Sequence, residues 1–563
     1  MYWKDPRPTS THTSRCVLSL LFAGIASAAL MQAPAQQAQP APTPWQPAIH
    51  FNAAPNWIND PNGPISFDGQ YHLFFQENPS GDQWGHMSWG HAVSSDLTHW
   101  KQLPVALTEE NGTMIFSGST VEDRDNTSGL CGEAAQMAAG SRHDCLVAIY
   151  TGASSDRQNQ NLAASRDGGT TWTKFAGNPV IDPGLKDFRD PKVFWHAASA
   201  SWVMVVALPT EHKVRIYRSK NLKEWVQASE FGPAGAVGGA WECPDLIELP
   251  VRDYKGKRLL KADGVRWVLN VNVNPGGPAG GSADQYFVGQ FDGFRFTEDH
   301  PGSGPHWVDH GKDFYASTSF TNAQIDQDRL WIGWMSNWQY ASALPSLPGR
   351  GEMSTVRSIS LRQAPPNPRL TYAQEPLSLI QHPVLQVPAH KGDTAWFGNA
   401  PFLPVDEANA HLTSAKLAGS VYLLRLMLEP GEAAECGIRL RRNTTDANAA
   451  ASEETVVGVD FTTGRIFVDR SHSGQTNFGP NFTGRVSVPL KHPQAVQSPL
   501  EIVVDHNSIE VFAEDGETVF TSLIFPSATS LGLAFYASPT PPGSVPARIR
   551  DVEFFPLDQV GGK

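Results

Sequence analysis

Short runs of apolar and aromatic residues, separated by tight turn pairs, limit the possible folds of this chain more than any other feature. Amphipathic helical spacing is hard to find between residues 50 and about 370, and the runs are rich in strand-favouring residues. Turn pairs such as Asp68-Gly69 and Asp292-Gly293 separate them, as hairpins require. The runs include HLFF (72–75), LVAIYTG (146–152), WVMVVALP (202–209), WVLNVNV (267–273) and LWIGWMS (330–336). The sequence therefore predicts an all-β fold.

A looser recurrence predicts how these strands are grouped. Three segments share a serine, a turn and an aromatic residue, and each precedes a new strand: SSDLTHW (94–100), SRDGGTTW (165–172) and SKNLKEW (219–225). An acid or hydroxyl recurs roughly every 50 to 70 residues, about the length of one four-stranded propeller blade with its loops. The recurring residues are Asp60, Ser117, Asp190, Glu242 and Asp313. The intervals predict a five-bladed β-propeller whose inner strands bring these residues together.

The pattern of apolar and polar residues changes in the last third of the chain. Segments such as VVGVDFTTGRIFVDRS (456–471) and LGLAFYAS (531–538) alternate like the hairpins of a two-layer sandwich. A chain of 563 residues also exceeds one ordinary core, so more than one domain is expected. We predict a propeller over residues 48–370, followed by a C-terminal β-sandwich over 371–563.

The N-terminus has the features of an export signal. Basic residues precede the apolar run CVLSLLFAGIASAAL (16–30), which contains a small-residue cleavage site. A signal peptide over residues 1–32 and a Pro/Ala/Gln-rich linker over 33–47 are predicted, with an uncleaved anchor or an internal start as the alternative. Cys131 and Cys145 are a plausible disulfide in such a protein. These features predict a secreted or periplasmic location.

Charge and motif content exclude several classes of function. A formal net charge of −13 argues against nucleic acid and anionic membranes as partners, because both require a basic face. Beyond the N-terminal run, no segment approaches 18 continuous apolar residues, so no membrane span is expected. The chain has no glycine-rich phosphate loop after a strand and no His or Cys spacing typical of a metal site. We therefore expect no cofactor and no metal.

Three short strings carry the chemistry. They are NWINDPNG (56–63), FRDPKVF (188–194) and WECPDL (241–246), and each places a carboxylate beside a proline and an apolar residue. One string alone is better explained by a turn pair or a solvated edge residue than by chemistry. Together, at matching positions in successive blades, they suit cleavage of a glycosidic bond, which needs one ionised carboxylate and one protonated carboxylic acid.

These strings resemble the three signature motifs of glycoside hydrolase family 32, the fructosidases that include invertases, inulinases and levanases. The resemblance extends to GDQWGHMSWGHAVSSDLTHW (81–100), MIFSGS (114–119), EFGPAGAVGGAWECPDL (230–246) and IGWMSNWQYA (332–341), and to IEVFAEDGETVFTSLIFP (509–526) in the C-terminal part. It covers nearly all of the chain beyond the linker. It implies a secreted retaining exo-β-fructosidase that acts on levan, inulin and sucrose.

The resemblance also implies roles for individual residues. Asp60 corresponds to the nucleophile, Glu242 to the general acid/base and Asp190 to the transition-state stabiliser. The implied substrate-binding residues are Trp57, Asn59, Gln76, Trp84, Phe116, Ser117, Arg189 and Trp338. Trp84 and Trp338 could instead be plain core aromatics. Cys243 could tune the acid's environment or be a small buried hydrophobe.

One segment departs from the family pattern, and several alternatives remain open. Gly349 replaces an aromatic residue, and Val356-Arg357 stands where a Pro-Arg pair is usual, so the outer wall of the site is in doubt. A fructosyltransferase on the same scaffold would differ only in the acceptor of the fructosyl group. A catalytically silent fructan-binding protein is a third possibility. An inverting arabinosidase or xylosidase would hold its carboxylates farther apart.

Overall fold

The computed structural model describes residues 43–132, 145–260, 264–345, 349–365, 377–387, 395–396, 402–447, 449–493 and 497–557. The predicted signal peptide and most of the predicted linker lie outside these residues. No helix among the described residues has both the length and the apolar character needed to span a membrane.

The first half of the structure confirms the predicted all-β propeller, with five blades of at least four strands. Blade 1 comprises β1 (Trp57–Phe67), β2 (Gln70–Asn78), β3 (Ser88–Ser94) and β4 (Lys101–Leu107). Blade 2 comprises β5 (Met114–Glu122), β6 (Leu146–Ala153), β7 (Gln158–Ser165) and β8 (Thr173–Lys174). Blade 3 comprises β9 (Arg189–His196), β10 (Ser201–Leu208), β11 (Lys213–Ser219) and β12 (Trp225–Phe231).

The remaining two blades follow the same antiparallel order. Blade 4 comprises β13 (Ala240–Arg252), β14 (Val265–Asn274), β15 (Ala283–Phe291), β16 (Phe296–Glu298) and β17 (His306–Trp307). Blade 5 comprises β18 (Tyr315–Ile325), β19 (Asp328–Trp334), β20 (Arg357–Gln363) and β21 (Leu377–Pro383). Short 3-10 helices occupy Ala197–Ser199, Pro209–Glu211 and Ala341–Ala343.

The five inner strands β1, β5, β9, β13 and β18 pack against one another around the axis. The ring closes where β1 pairs in parallel with β18, at Ile65 and Thr321. A second parallel contact joins β13 to β20, at Val251 and Leu361. Closure places the first strand of the chain beside the last blade, so that residues more than 250 positions apart share one site.

The continuous apolar runs in the sequence are strands covered on both faces. All eight residues of β10 are buried, and alternate residues serve two different cores. Met204 and Val206 pack towards blade 2, and Val203 and Val205 pack towards blade 4. A fully buried strand of this kind shows no polar alternation, which is why its sequence is apolar throughout.

The last part of the chain forms a sandwich of a seven-stranded and a five-stranded sheet. The seven-stranded sheet holds β22 (Ala395–Trp396), β23 (Leu403–Pro404), β24 (Tyr422–Glu429), β29 (Ser498–Val504), β30 (Ser508–Ala513), β31 (Thr518–Leu523) and β33 (Arg548–Pro556). The five-stranded sheet holds β25 (Glu435–Arg442), β26 (Glu454–Asp460), β27 (Arg465–His472), β28 (Arg485–Pro489) and β32 (Gly532–Ala537). One α-helix, α1 (Val405–Ser414), accompanies them among the described residues.

Two observations bear on the predicted domain limits. Strand β21 pairs with β20 along its whole length, so the fifth blade continues to Pro383, beyond the predicted boundary at residue 370. We propose that the boundary follows β21. The end of the predicted linker is also held in place, because Trp45 donates a hydrogen bond to the Pro526 carbonyl and packs against Phe525.

The predicted disulfide between Cys131 and Cys145 is present, with the two Cα atoms 5.4 Å apart. It joins the loop after β5 to the residue that precedes β6. The link therefore fixes the far end of the second blade.

A buried charged cluster joins the propeller to the sandwich. Arg357, at the start of β20, has no exposed surface and donates to Glu510 (2.6 Å) and Asp309 (3.1 Å). His50 bridges Glu510 (2.9 Å) and Asp505 (2.8 Å) from the other side. Arg357 follows Val356, the residue that replaces the usual proline of the family pattern, and it is a principal cation of this interface.

Replacing Arg357 with methionine should lower the free energy of unfolding by roughly 3–5 kcal/mol, because buried carboxylates lose their partner. Urea unfolding followed by tryptophan fluorescence measures the change. The matched control is Arg425→Met, since the Arg425–Glu501 pair is solvent-exposed on the arginine side and should contribute less than about 1 kcal/mol. Equal losses in the two variants would contradict this account of the interface.

Candidate active site

Each of the five inner strands carries a bulge at the same level. In β1, β5, β9, β13 and β18, two residues of the inner strand stand opposite one residue of its neighbour. The bulged segments hold Asp60, Ser117, Asp190, Cys243 and Ala316. A bulge turns a side chain out of the normal alternation, so the five strands aim neighbouring side chains at one point.

Two of the three prolines in the sequence strings have a structural reason. Pro191 and Pro244 lie within bulges, where a residue without an N–H group removes no regular ladder bond. Asp190 and Cys243 also have positive φ angles, of 66° and 44°. Non-glycine residues rarely adopt this conformation, and it occurs preferentially at functional sites.

Asp60 lies at the end of a chain of hydrogen-bond donors. The Trp57 indole N–H donates to Asn59 Oδ1 (2.9 Å), and the Asn59 amide donates to Asp60 Oδ1 (3.0 Å). The Ser117 hydroxyl donates to Asp60 Oδ2 at 2.6 Å. Burial raises the pKa of Asp60, while the bonds from Ser117 and Asn59 lower it and the charge of Glu242 raises it. The balance leaves the Asp60 pKa above its usual value.

Asp190 is held mainly through the backbone. Its own N–H donates to the Thr151 hydroxyl (3.0 Å), and its Oδ2 accepts from the Cys243 N–H (3.0 Å). Burial raises the pKa of Asp190 to about 7, against the opposing effect of the Arg189 guanidinium. Since Glu242 and Asp60 add to the rise, the carboxylates of the pocket influence one another electrostatically.

Glu242 has donors on both oxygens. Arg189 donates to Oε1 through Nε (3.1 Å) and Nη2 (2.9 Å), and the Tyr315 hydroxyl donates to Oε2 (2.5 Å). Arg189 is fixed in turn by Asp187 (3.0 Å) and Gln158 (3.3 Å). Burial lowers the pKa of Arg189, but Glu242 and Asp190 outweigh it, so the guanidinium stays charged.

Cys243 connects the carboxylates. Its thiol lies 3.4 Å from Asp60 Oδ2 and 3.7 Å from Asp190 Oδ2. Burial raises the pKa of the thiol well above its usual value, and the carboxylates of Asp190, Asp60 and Glu242 raise it further. The residue is therefore a protonated donor within the site rather than a nucleophile.

The predicted substrate-binding residues fall into two layers. Trp57 is fully buried and reaches the pocket only through Asn59, and Gln76 is nearly buried with its amide bonded to the Ile115 carbonyl. Trp338 is half-buried and stacks on Trp57, with ring centroids 6.0 Å apart.

Trp84 is 45% exposed and meets the edge of Phe116, so it is not a core residue.

The fifth blade is present as predicted, but Asp313 does not join the other acids in the pocket. Asp313 is fully buried at the border with the sandwich, where it accepts from Arg470 and Tyr340. Tyr315, two residues later, is the residue of blade 5 that contacts a site carboxylate. The spacing of the acids therefore predicted the number of blades, but it did not predict which side chain of blade 5 faces the pocket.

Gly349 has a local reason in the structure. Its φ is +122°, and a Cβ at this position would lie 2.5 Å from the carbonyl oxygen of Asn56. No larger residue fits without movement of the backbone. The wall that an aromatic residue would supply in the family pattern is therefore absent at this position.

No group of three or more His, Cys, Asp or Glu residues suited to a metal ion occurs in the part of the chain that the structure describes. The site can instead provide proton transfer and a carboxylate close to a cation. A β-propeller whose inner strands present Asp60, Asp190 and Glu242 at one end of the axis belongs to the glycoside hydrolase class.

Comparison with known proteins identifies the family. The model for the N-terminal domain of glycosyl hydrolases family 32 matches residues 50–376, and the model for the family's C-terminal domain matches residues 402–554. The chain belongs to glycosyl hydrolase family 32.

Individual relatives agree with this assignment. A levanase of Bacillus subtilis is 42% identical, over 92% of this chain and 71% of the relative. An extracellular exo-inulinase of Aspergillus awamori is 38% identical, over 87% and 91% of the two chains. A solved exo-inulinase structure from Aspergillus awamori superposes with a TM-score of 0.76 at 35% identity, covering 92% of this chain and 99% of the other. A fructofuranosidase of Schwanniomyces occidentalis complexed with fructose gives 0.77 at 33% identity, covering 91% and 98%.

Removing the Ser117 hydroxyl should move the acid limb of the pH–activity profile to higher pH. The hydroxyl stabilises the ionised form of Asp60, so Ser117→Ala raises the pKa of Asp60 further and leaves less carboxylate at a given acidic pH. The measurement is kcat/KM for glycoside hydrolysis across the acidic range.

Ser119→Ala is the control for this prediction. Ser119 lies on the same strand, and its hydroxyl donates to the Pro191 carbonyl rather than to a site carboxylate. An identical acid limb in Ser117→Ala and the unsubstituted protein would show that the Ser117 hydroxyl does not tune Asp60.

Proposed function

We propose that the protein is a secreted, retaining exo-β-fructosidase that hydrolyses terminal β-D-fructofuranosyl residues of levan and inulin, and also sucrose. The observation that carries the proposal is the meeting of Asp60, Asp190 and Glu242 in one pocket, in a chain of this family. The relatives named levanase, exo-inulinase and invertase support the substrate class.

In the first half-reaction, an Asp60 oxygen attacks C2 of the terminal fructosyl unit while Glu242 gives a proton to the leaving oxygen. Trp57 and Asn59 orient the attacking carboxylate. The Cys243 thiol lies against both aspartates, so Asp60 and Asp190 are close enough to hold one sugar. Asp190 binds sugar hydroxyls as the ring approaches an oxocarbenium ion.

In the second half-reaction, Glu242 takes a proton from water, and the water attacks C2 to break the bond to Asp60. The donors from Arg189 and Tyr315 hold the Glu242 carboxyl group in position for this step. When Glu242 carries the proton, the Tyr315 hydroxyl can rotate so that its hydrogen points away from Oε2. The N–H donors of Arg189 cannot rotate in this way, because they are fixed in the plane of the guanidinium group. Fructose leaves with its configuration retained.

Secretion is supported by the sequence at the N-terminus and by the disulfide in blade 2. Disulfides persist mainly in exported proteins, because the cytosol keeps thiols reduced. Relatives described as extracellular point the same way.

Time-resolved product analysis tests the proposal. The purified protein is incubated separately with levan, inulin and sucrose, and the released sugars are identified. We expect fructose alone from the two polymers from the first time point, and glucose with fructose from sucrose. A ladder of oligomers would indicate internal cleavage, and new oligosaccharides formed at high sucrose would indicate transfer instead of hydrolysis.

Two variants link these products to the site. Asp60→Asn removes the charge and preserves the volume, so fructose release should fall on the order of a thousandfold or more while folding is kept. Asp68→Asn, on the exposed turn that follows β1, should leave the rate unchanged. An Asp60→Asn variant with a tenth of normal activity would exclude the nucleophile role.

A further inference from the structure

A large cavity opens at the end of the propeller axis opposite the carboxylates. Its volume is about 860 Å³, and it is lined by the far halves of β5, β9, β13 and β18. His196 lies on its wall, six residues after Asp190 along β9, which is about 20 Å at the usual rise per residue. The cavity is therefore separate from the site described above.

Lys192 closes the passage between the two ends. Its ammonium donates to the Thr318 hydroxyl (3.0 Å) and the Ser319 carbonyl and pairs with Asp245 (3.1 Å). It lines both the large cavity and a small void beside Asp190 and Cys243. Since this buried lysine joins β9, β13 and β18, a ligand in the far cavity cannot reach Asp60 through the axis.

An aromatic surface forms part of the cavity wall. Trp195 is 43% exposed, and its ring is supported by the edge of Trp202, with centroids 5.2 Å apart. Trp202 is itself buried, and its indole N–H donates to the Thr127 hydroxyl (2.9 Å). The exposed ring is thus held on a fixed support, as a preformed binding surface requires.

The polar groups of the cavity carry both signs of charge. Glu122 pairs with Arg124 and accepts from the Asn322 amide (2.9 Å). Glu248 is half-buried on the cavity wall, and its carboxylate makes no hydrogen bond within the described ranges. Arg329 lies close by and donates only to the Glu248 carbonyl in the same part of the chain.

This lining fits a neutral, hydroxyl-rich ligand better than an ion. Because acidic and basic side chains alternate along the cavity wall, the net electrostatic field inside the cavity is small. The same side chains offer hydrogen-bond acceptors and donors beside the flat apolar ring of Trp195. An unpaired, partly desolvated carboxylate such as Glu248 gains most from a ligand that donates hydroxyl hydrogens.

We propose that this cavity is a second, non-catalytic saccharide-binding site that holds a segment of the polymeric substrate. The proposal rests on the proposed function, since the saccharide is taken to be a fructan. A polymer held here would keep its chain ends at a raised effective concentration near the catalytic pocket. Short substrates such as sucrose would gain nothing from it.

Polymer binding by the inactive Asp60→Asn protein tests the proposal without loss of the substrate. Affinity electrophoresis in gels containing levan, inulin or dextran gives the retardation of each variant, and free fructose as competitor separates binding of a single sugar from binding of a chain. Adding Trp195→Ala should weaken retardation by levan or inulin about tenfold. Adding Glu248→Gln, which preserves the volume, should weaken it in the same direction.

The matched control is Tyr254→Ala, because Tyr254 is equally exposed (44%) but lies between β13 and β14, away from the cavity. It should not change retardation. In the active protein, Trp195→Ala should raise KM for levan or inulin and leave kcat/KM for sucrose unchanged. Unchanged retardation in both cavity variants, or an equal loss of activity on polymer and sucrose, would overturn the proposal.

The two proposals fail differently. If the unsubstituted protein releases no fructose from any of the three substrates, the proposed function is wrong. The electrophoresis still reports whether the cavity binds a saccharide, since it requires no turnover.

Discussion

The repeated bulge in the inner strands is the constraint on which the site depends. In a regular strand, successive side chains alternate between the two faces, so the face that Asp60 or Asp190 meets depends on the extra residue in its strand, whereas Glu242 pairs regularly with Asn272 just before the bulge of β13. The extra residue in each inner strand changes this alternation at one level of the propeller. The left-handed residues Asp190 and Cys243 absorb the distortion. The strain is local, and the covered strands of each blade keep it in place.

The convergence of acids creates an electrostatic problem that the surrounding residues solve in three different ways. Asp60 is stabilised by an amide and a hydroxyl, Asp190 by a backbone N–H, and Glu242 by a guanidinium and a phenol. The result is a graded set of environments in one small pocket, in which burial raises the pKa of Asp60 and of Asp190. Different environments for chemically similar acids are what acid, base and nucleophile roles require.

The sequence predicted the architecture, and it singled out the three carboxylates as candidates, because the signals for both are local. Strand runs, turn pairs and the Asp-Pro and Cys-Pro strings are visible within a few residues. The contributions of Tyr315 and Asn272, which donates to the Cys243 carbonyl (3.1 Å), were not predicted. Both contributions depend on which blades become neighbours and on the position of the bulges. A stretch of a few residues encodes neither of these features. Asp313 shows the same limit, because its interval was right but its side chain serves the border with the sandwich.

The most direct measurement of the central claim is the identity of the residue that becomes covalently attached to the sugar. In Glu242→Gln, an activated β-fructoside whose leaving group needs no protonation should form the intermediate, while its hydrolysis is slowed by loss of the base. Peptide mass spectrometry after acid quenching should then find a fructosyl adduct on Asp60. An adduct on another residue, or inverted product with no adduct in a variant that still consumes the substrate, would contradict the account.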